Sequence, residues 1–229
     1  MIIRRNMTTS GTLNSSRKPD KLIITSPVVI LANGVFPKHP CPLNIIRQSG
    51  TLVCTDGSAD AAIENGFKPN IIIGDLDSIS NASSSYNCPV IPINTQENTD
   101  LEKSIEWLIE NGINEICLTG ISGGRDDQSL ANLIILNHYT SQIQLSAVTD
   151  LFTIDFFSGS RKFKSFPGQT ISLLALEPVE NITTTGLEYP LTGEKLIPSG
   201  KGISNRASGT EFSIVASNNL MVFRSHNKI

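Results

Sequence analysis

The chain has 229 residues, 39% of them hydrophobic and 17% charged, so it can pack one large domain or two small ones and is too apolar for global disorder. Its formal net charge of −3 leaves no basic footprint and excludes nucleic acid as the expected partner. Any anion site must then rest on local glycines, a few cations and a metal.

Residues 1–21 open with a basic Met1-Ile2-Ile3-Arg4-Arg5 and continue polar and Ser/Thr/Asn-rich, which reads as a flexible leader. No apolar signal-peptide core follows, and no window reaches 18 apolar residues, so the expectation is a cytoplasmic protein with no membrane partner. From 22 to 149, short apolar runs alternate with helical patterns. Strands are expected over 28–32, 52–55, 70–74, 90–93, 115–119 and 144–148. Helices are expected over 59–65, 99–111 and 129–137, the first two stopped by Gly66 and Gly112. That alternation predicts a mostly parallel α/β sandwich domain. From 150 to 229 no long helical period remains. Short strands over 152–157, 170–176, 181–185, 211–216 and 220–224, separated by Gly, Pro, Ser and Asn, predict a C-terminal all-β sandwich domain. Phe152, Phe156, Phe157, Phe163 and Phe166 crowd the junction and read as core or interface packing.

Four cysteines (Cys41, Cys54, Cys88, Cys117) include no C-x-x-C pair. The three histidines, His39, His138 and His226, have no ligand spacing. A zinc site or disulfide framework is therefore not expected, and the histidines read as structural or surface groups.

Three polar clusters carry the chemistry. In the first, Ile71-Ile72-Ile73 runs into Gly74-Asp75-Leu76-Asp77-Ser78. A buried strand ending in two carboxylates lies where open α/β sheets bind ligands, and a hard oxygen site there suits Mg²⁺ carrying a polyphosphate. An ordinary Asp/Ser turn is the alternative. In the second, Thr99 and Glu102 form a capping-box pattern, placing Asp100 in the first helical turn and Lys103 one turn on. Asp100 there either complements the helix dipole or adds a third carboxylate to the metal, with Lys103 reaching a phosphate. In the third, Gly120-Ile121-Ser122-Gly123-Gly124-Arg125-Asp126-Asp127 links a strand to a helix. Glycines admit an anion to the backbone, and Arg125 can grip phosphate. Asp127 and Asn132 are polar groups for a second substrate, or Asp126 and Asp127 are helix caps. The loop is neither a Walker A nor a G-x-G-x-x-G motif.

Taken in order, Asp56-Gly57-Ser58, Gly74-Asp75-Leu76-Asp77-Ser78, Gln96…Thr99-Asp100…Lys103, Gly123-Gly124-Arg125-Asp126-Asp127-Gln128…Asn132 and Ser204-Asn205 resemble the motif series of the thiamine pyrophosphokinase family. The resemblance implies diphosphate transfer from ATP to the hydroxyl of thiamine, yielding thiamine diphosphate and AMP. It implies a homodimer with thiamine at the subunit interface. By position it places Asp75, Asp77 and Asp100 on Mg²⁺ and the triphosphate, and Gln96, Lys103 and Arg125 on phosphates. Asp56 and Gly57 fall by the nucleotide, and Asp127, Asn132, Ser204 and Asn205 near the acceptor. Ser58 and Gln128 depart from the family's usual Gly and His, and the single Trp, Trp107, lies outside the C-terminal region. Two other readings stay open on the residues: diphosphate transfer to another hydroxymethyl heterocycle such as a pterin, and a non-catalytic thiamine or nucleotide sensor. A lectin-like role for the β region is a third.

Overall fold

The computed structural model describes residues 22–75 and 86–227. Among these, twelve strands join in one hydrogen-bonded sheet of mixed direction. Six of them are parallel: β1 (Val28–Leu31), β2 (Thr51–Thr55), β3 (Ile71–Gly74), β4 (Val90–Pro92), β5 (Glu115–Thr119) and β6 (Gln144–Val148), in the order β4-β3-β2-β1-β5-β6. The central strands β1, β2 and β3 are buried along their whole length because both faces of the sheet are covered there. Val28 and Ile30 of β1 face one core with Leu101, Ile105 and Leu108 of α3 (Asp100–Glu110) and Leu136 of α4 (Asp126–Tyr139). Val29 and Leu31 face a second core with Ile46 of α1 (Pro40–Gln48) and Ala59 and Ala62 of α2 (Ser58–Glu64). The alternation of a strand thus assigns two helices to each face.

Both expected helix stops occur. Gly66 and Gly112 have φ of +80° and +81° and donate to Ile63 O and Ile109 O, the left-handed ending that glycine adopts without a Cβ penalty. The sequence pattern gives no sign of helix α1. Its start carries Pro40 and Pro42, which punctuate loops as often as they open helices, and His39 caps it by accepting from Cys41 N.

Beyond β6 the chain reverses. β7 (Phe152–Lys164) pairs antiparallel with β6, Ala147 opposite Ile154, so the sheet runs on without a break. β12 (Glu211–Ser225) pairs with β7 along most of its length, with a register shift between Ala216 and Leu220. The segments 211–216 and 220–224, expected as two strands, are therefore one interrupted strand. Its first half also pairs with β9 (Val179–Thr185), which carries β10 (Glu194–Leu196) on its outer edge. Its second half pairs with β8 (Thr170–Leu174), which carries the two-residue β11 (Asn205–Arg206). Strands β7, β8, β9 and β12 contribute to a third core built around Phe157, Phe163, Ile171, Leu173, Ile182 and Phe212, in which Phe163 stacks on Phe212 at 5.0 Å. Phe156, by contrast, belongs to the first core with Ile154 and Met221, which ties the antiparallel strands to the parallel ones.

Candidate active site at the sheet switch point

In the parallel sheet, β1 leads to β2 on one side and β5 to β6 on the other. The point where the order reverses, between β1 and β5, opens a crevice at the strands' carboxyl ends. The two loops that leave these strands remain bonded: Ala32 N donates to Thr119 O at 2.9 Å, Gly34 N to Gly120 O at 2.8 Å and Val35 N to Ser122 O at 3.0 Å. Beside them is a cleft of about 240 Å³ lined in part by Asn33, Thr55, Asp100, Gly123, Gln128 and Asn132. A larger cleft of about 470 Å³, formed in part by Asn137, His138, Glu177 and Asn219, offers a single carboxylate and no converging cation.

Three carboxylates meet at this end of the sheet. Asp56 follows β2, Asp75 follows β3 and Asp100 opens α3; one oxygen from each lies within 4.8 Å of the others. Gly74 permits the approach, since a Cβ there would sit 2.8 Å from Asp56 Cβ and 3.2 Å from Asp100 Cγ. Thr99 holds the start of α3 through the capping box anticipated from sequence: its Oγ1 accepts from Glu102 N at 3.3 Å and its own N–H donates to Glu102 Oε2 at 2.8 Å. Lys103, 3% exposed, reaches back one turn with Nζ 2.8 Å from Asp100 Oδ1 and 3.5 Å from Asp75 Oδ2. Burial alone would pull its pKa down; the Asp100 hydrogen bond and the charges of Asp100 and Asp75 together outweigh it and hold the ammonium above the ordinary lysine range. Gln96 Nε2 lies 3.5 Å from Asp75 Oδ2. Among the described residues the cluster sets three carboxylates against the Lys103 ammonium, and hard oxygen donors so close together fit a divalent cation of the Mg²⁺ class.

Among the described residues the grouping joins Asp56 to Asp75 and Asp100 of the expected set. Asp56, read from sequence as a nucleotide-side residue, is 1% exposed and belongs to the carboxylate cluster. Asp77 lies outside the described residues. No local pattern marks Asp56 as a partner of Asp75 and Asp100, because only the pairing of β2 with β3 brings their ends together. Gly57 sits against Asn33, 2.6 Å from a Cβ position to the Asn33 amide nitrogen, which leaves it a backbone role.

Arg125 and Asp127 are paired with each other. Arg125 Nε is 3.0 Å from Asp127 Oδ1 and Nη2 is 2.6 Å from Oδ2, both side chains exposed at the start of α4. The guanidinium hydrogen bond holds the Asp127 carboxyl below its usual range. Arg125 is thus near the glycine loop but spends its fork on a neighbour. Asn132 lines the cleft and donates from Nδ2 to Ile121 O at 2.8 Å, with Gln128 beside it. Ser204 and Asn205 are not among the described residues lining the cleft. Asn205 is 9% exposed and fastens the Tyr189 backbone, donating to Tyr189 O at 2.6 Å and accepting from Tyr189 N at 3.1 Å. Ser204, at φ +60°, donates its N–H to Ser172 Oγ.

Two family models match the chain: the thiamin pyrophosphokinase catalytic domain over residues 43–147, and the thiamin pyrophosphokinase vitamin B1 binding domain over residues 161–221. Thiamine pyrophosphokinase 2 of Arabidopsis thaliana is 28% identical over 151 residues, an alignment covering 58% of this chain and 56% of that protein. Thiamine pyrophosphokinase 1 of Oryza sativa is 26% identical over 204 residues, covering 75% and 76%. The chain thus spans a little over half of the Arabidopsis relative's length. Among solved structures, a thiamine pyrophosphokinase from Bacillus subtilis superposes with a TM-score of 0.75 at 22% identity over 87% of this chain and 99% of that one. One from Candida albicans does so with 0.75 at 20% identity over 92% and 97%. These structures share the fold. With two successive domain models of one enzyme matched in order, the chain belongs to the thiamin pyrophosphokinase family.

Proposed function

We propose that the chain is an ATP:thiamine diphosphotransferase, converting ATP and thiamine to AMP and thiamine diphosphate. The observation that carries this is the Asp56–Asp75–Asp100 cluster with Lys103, set at the carboxyl ends of parallel strands beside the switch-point cleft. Its donors suit Mg²⁺, held by Asp56, Asp75 and Asp100, with Asp77 as a further ligand. Bound there, Mg²⁺ would neutralise charge on the transferred phosphates.

The residues of the chain then divide the work. The hydroxyl oxygen of thiamine attacks the β-phosphorus, the bond between that phosphorus and the oxygen bridging to the α-phosphate breaks, and AMP leaves with that oxygen. Negative charge grows on the leaving and equatorial oxygens, where fixed cations stabilise it. Lys103 supplies one such charge from a buried position. Arg125 supplies a second by exchanging Asp127 for phosphate, and Gln96 orients the chain of phosphates. Asp77 or Asp100 accepts the hydroxyl proton. Gly57, Gly123 and the Asn33 loop pack against the nucleotide. Asp127, Asn132, Ser204 and Asn205 recognise thiamine, the last two from the other subunit of a homodimer, which accounts for their absence from the cleft of a single chain. In this reading 22–149 is the catalytic α/β domain and 150–229 is a β-sandwich domain for thiamine and dimerisation, supported by the boundaries of the two family matches. A cytoplasmic site of action completes the proposal; among the described residues no helix is long and apolar enough to cross a membrane.

The reaction type is tested with ATP labelled in its β-phosphate. The label should move wholly to the thiamine product, leaving AMP unlabelled. Label retained in ADP would refute diphosphate transfer.

A further inference from the structure

A second group of ligands assembles at the opposite ends of the chain. His39 precedes α1, Cys41 is its second residue, and His226 follows β12; one ligand atom from each lies within 4.8 Å of the others, and all three residues are half-buried. The histidines bracket nearly the whole described sequence, so no spacing motif announces them. The two rings stack with centroids 5.0 Å apart. We propose that His39, Cys41 and His226 form a binding site for a borderline-soft divalent ion of the Zn²⁺ class, distinct from the carboxylate cluster.

Donor chemistry selects the ion. One thiol and two imidazoles suit Zn²⁺ and its neighbours and are poor ligands for Mg²⁺, which takes oxygen. The state of His226 gives an independent pointer. Thr153 Oγ1 lies 3.1 Å from His226 Nε2, and Nδ1 is shielded from solvent and makes no well-formed hydrogen bond among the described residues, the Asp150 backbone offering the ring only a weaker one. The tautomer that donates Nε2–H to Thr153 leaves Nδ1 as a bare lone pair. A metal-bound histidine has the same arrangement, with the second ring nitrogen held by an outer hydrogen bond. His39 frees either ring nitrogen by giving up one long contact, 3.2 Å to Cys41 N or 3.4 Å to Asn227 Nδ2.

The ligands are held on fixed backbone. Asp150 accepts from Lys38 N at 2.9 Å and His39 N at 3.0 Å, and His226 N donates to Leu151 O at 3.0 Å. The same junction therefore positions both histidines, and little ordering remains for an ion to impose. Binding replaces the Cys41 S–H bond by a sulfur–metal bond and releases that proton to solvent. Three protein ligands leave a fourth position for water. An ion here would clip the end of β12 to the loop that leads from β1, and so to one wall of the cleft.

The test uses the full chain with Co²⁺ as a spectroscopic stand-in, followed by displacement with Zn²⁺. One equivalent of Co²⁺ should produce a near-ultraviolet thiolate-to-cobalt charge-transfer band and intense visible bands of a tetrahedral site. Cys41→Ser should abolish the charge-transfer band, whereas Cys88→Ser should retain it. Thr153→Val, which touches no ligand bond, should weaken affinity by about tenfold or more, the usual effect of removing an outer hydrogen bond. The folded state of each variant is checked by its melting curve without metal. A band that persists in Cys41→Ser, or no band at one equivalent in the folded wild-type chain, overturns the assignment. Retained turnover of Cys41→Ser with ATP, Mg²⁺ and thiamine is expected, since Cys41 has no part in the proposed reaction.

Discussion

Replacing Gly74 by alanine attacks the proposed site through geometry alone, with no change in charge. The new methyl carbon would lie 2.8 Å from Asp56 Cβ and 3.2 Å from Asp100 Cγ. Carbon atoms in ordinary contact sit about 3.5–4.0 Å apart, so the carboxylates must retreat by on the order of 0.5–1 Å. Asp56 is 1% exposed and cannot swing into solvent, which transfers the strain to the ends of β2 and β3. Overpacking of this kind costs about 1–3 kcal/mol, which is about 2–12 °C in melting temperature for a chain of this size. The catalytic consequence is larger, because a displacement of about 1 Å in a positioned site lowers rate by about a hundredfold. Turnover is read as AMP release from ATP, Mg²⁺ and thiamine, and stability as thermal melting. Gly209→Ala serves as control, since a Cβ there meets nothing within 4 Å. Gly74→Ala with wild-type turnover and an unchanged Mg²⁺ requirement would refute the argument that the spacing of these carboxylates sets the activity.

Other perturbations separate the remaining parts. Asp56→Asn and Asp100→Asn should each lower turnover by at least about a hundredfold, the scale of lost charge stabilisation, in the same AMP assay. Lys103→Met leaves the carboxylates facing one another, and with Asp75 and Asp100 partly exposed the loss should sit near the lower end of about 1–3 kcal/mol. Mg²⁺ should restore more melting temperature to this variant than it adds to the wild type. Arg125→Ala should raise the KM for ATP by about tenfold, the scale of a lost hydrogen bond to a charged group, while Tm stays within experimental error because both partners are exposed. Thr99→Ala removes the cap of α3 and should lower stability by about 1 kcal/mol, measured by urea titration.

Much of the parallel sheet was legible because its signals are local. Apolar runs such as Ile71-Ile72-Ile73 and Glu115–Thr119 mark buried strands, and Gly66 and Gly112 end helices wherever they fall. The length of β7 and the unity of β12 were not legible, since Ser158, Ser160, Ser217 and Asn218 interrupt the apolar pattern where the strands leave the core. The apolar pattern places the start of α4 three residues late for a related reason: Asp126, Asp127 and Gln128 are exposed, and only the later turns bury apolar side chains. At the candidate site, Asp75, Asp100 and Lys103 could be named from motifs. The inclusion of Asp56 could not, because it follows from strand order. Nor could the Arg125–Asp127 pair, a side-chain choice between two possible anions. His39, Cys41 and His226 are the extreme case, joined only by the return of β12 beside β7.

The most direct test of the whole account is product formation by the purified chain supplied with ATP and Mg²⁺ in three parallel reactions: thiamine, a hydroxymethylpterin, and no acceptor. AMP and thiamine diphosphate are expected in equal amounts in the thiamine reaction only, abolished by EDTA and restored by excess Mg²⁺. AMP formed only with the pterin would contradict the acceptor, and no AMP in any reaction from protein that still binds thiamine would contradict catalysis itself.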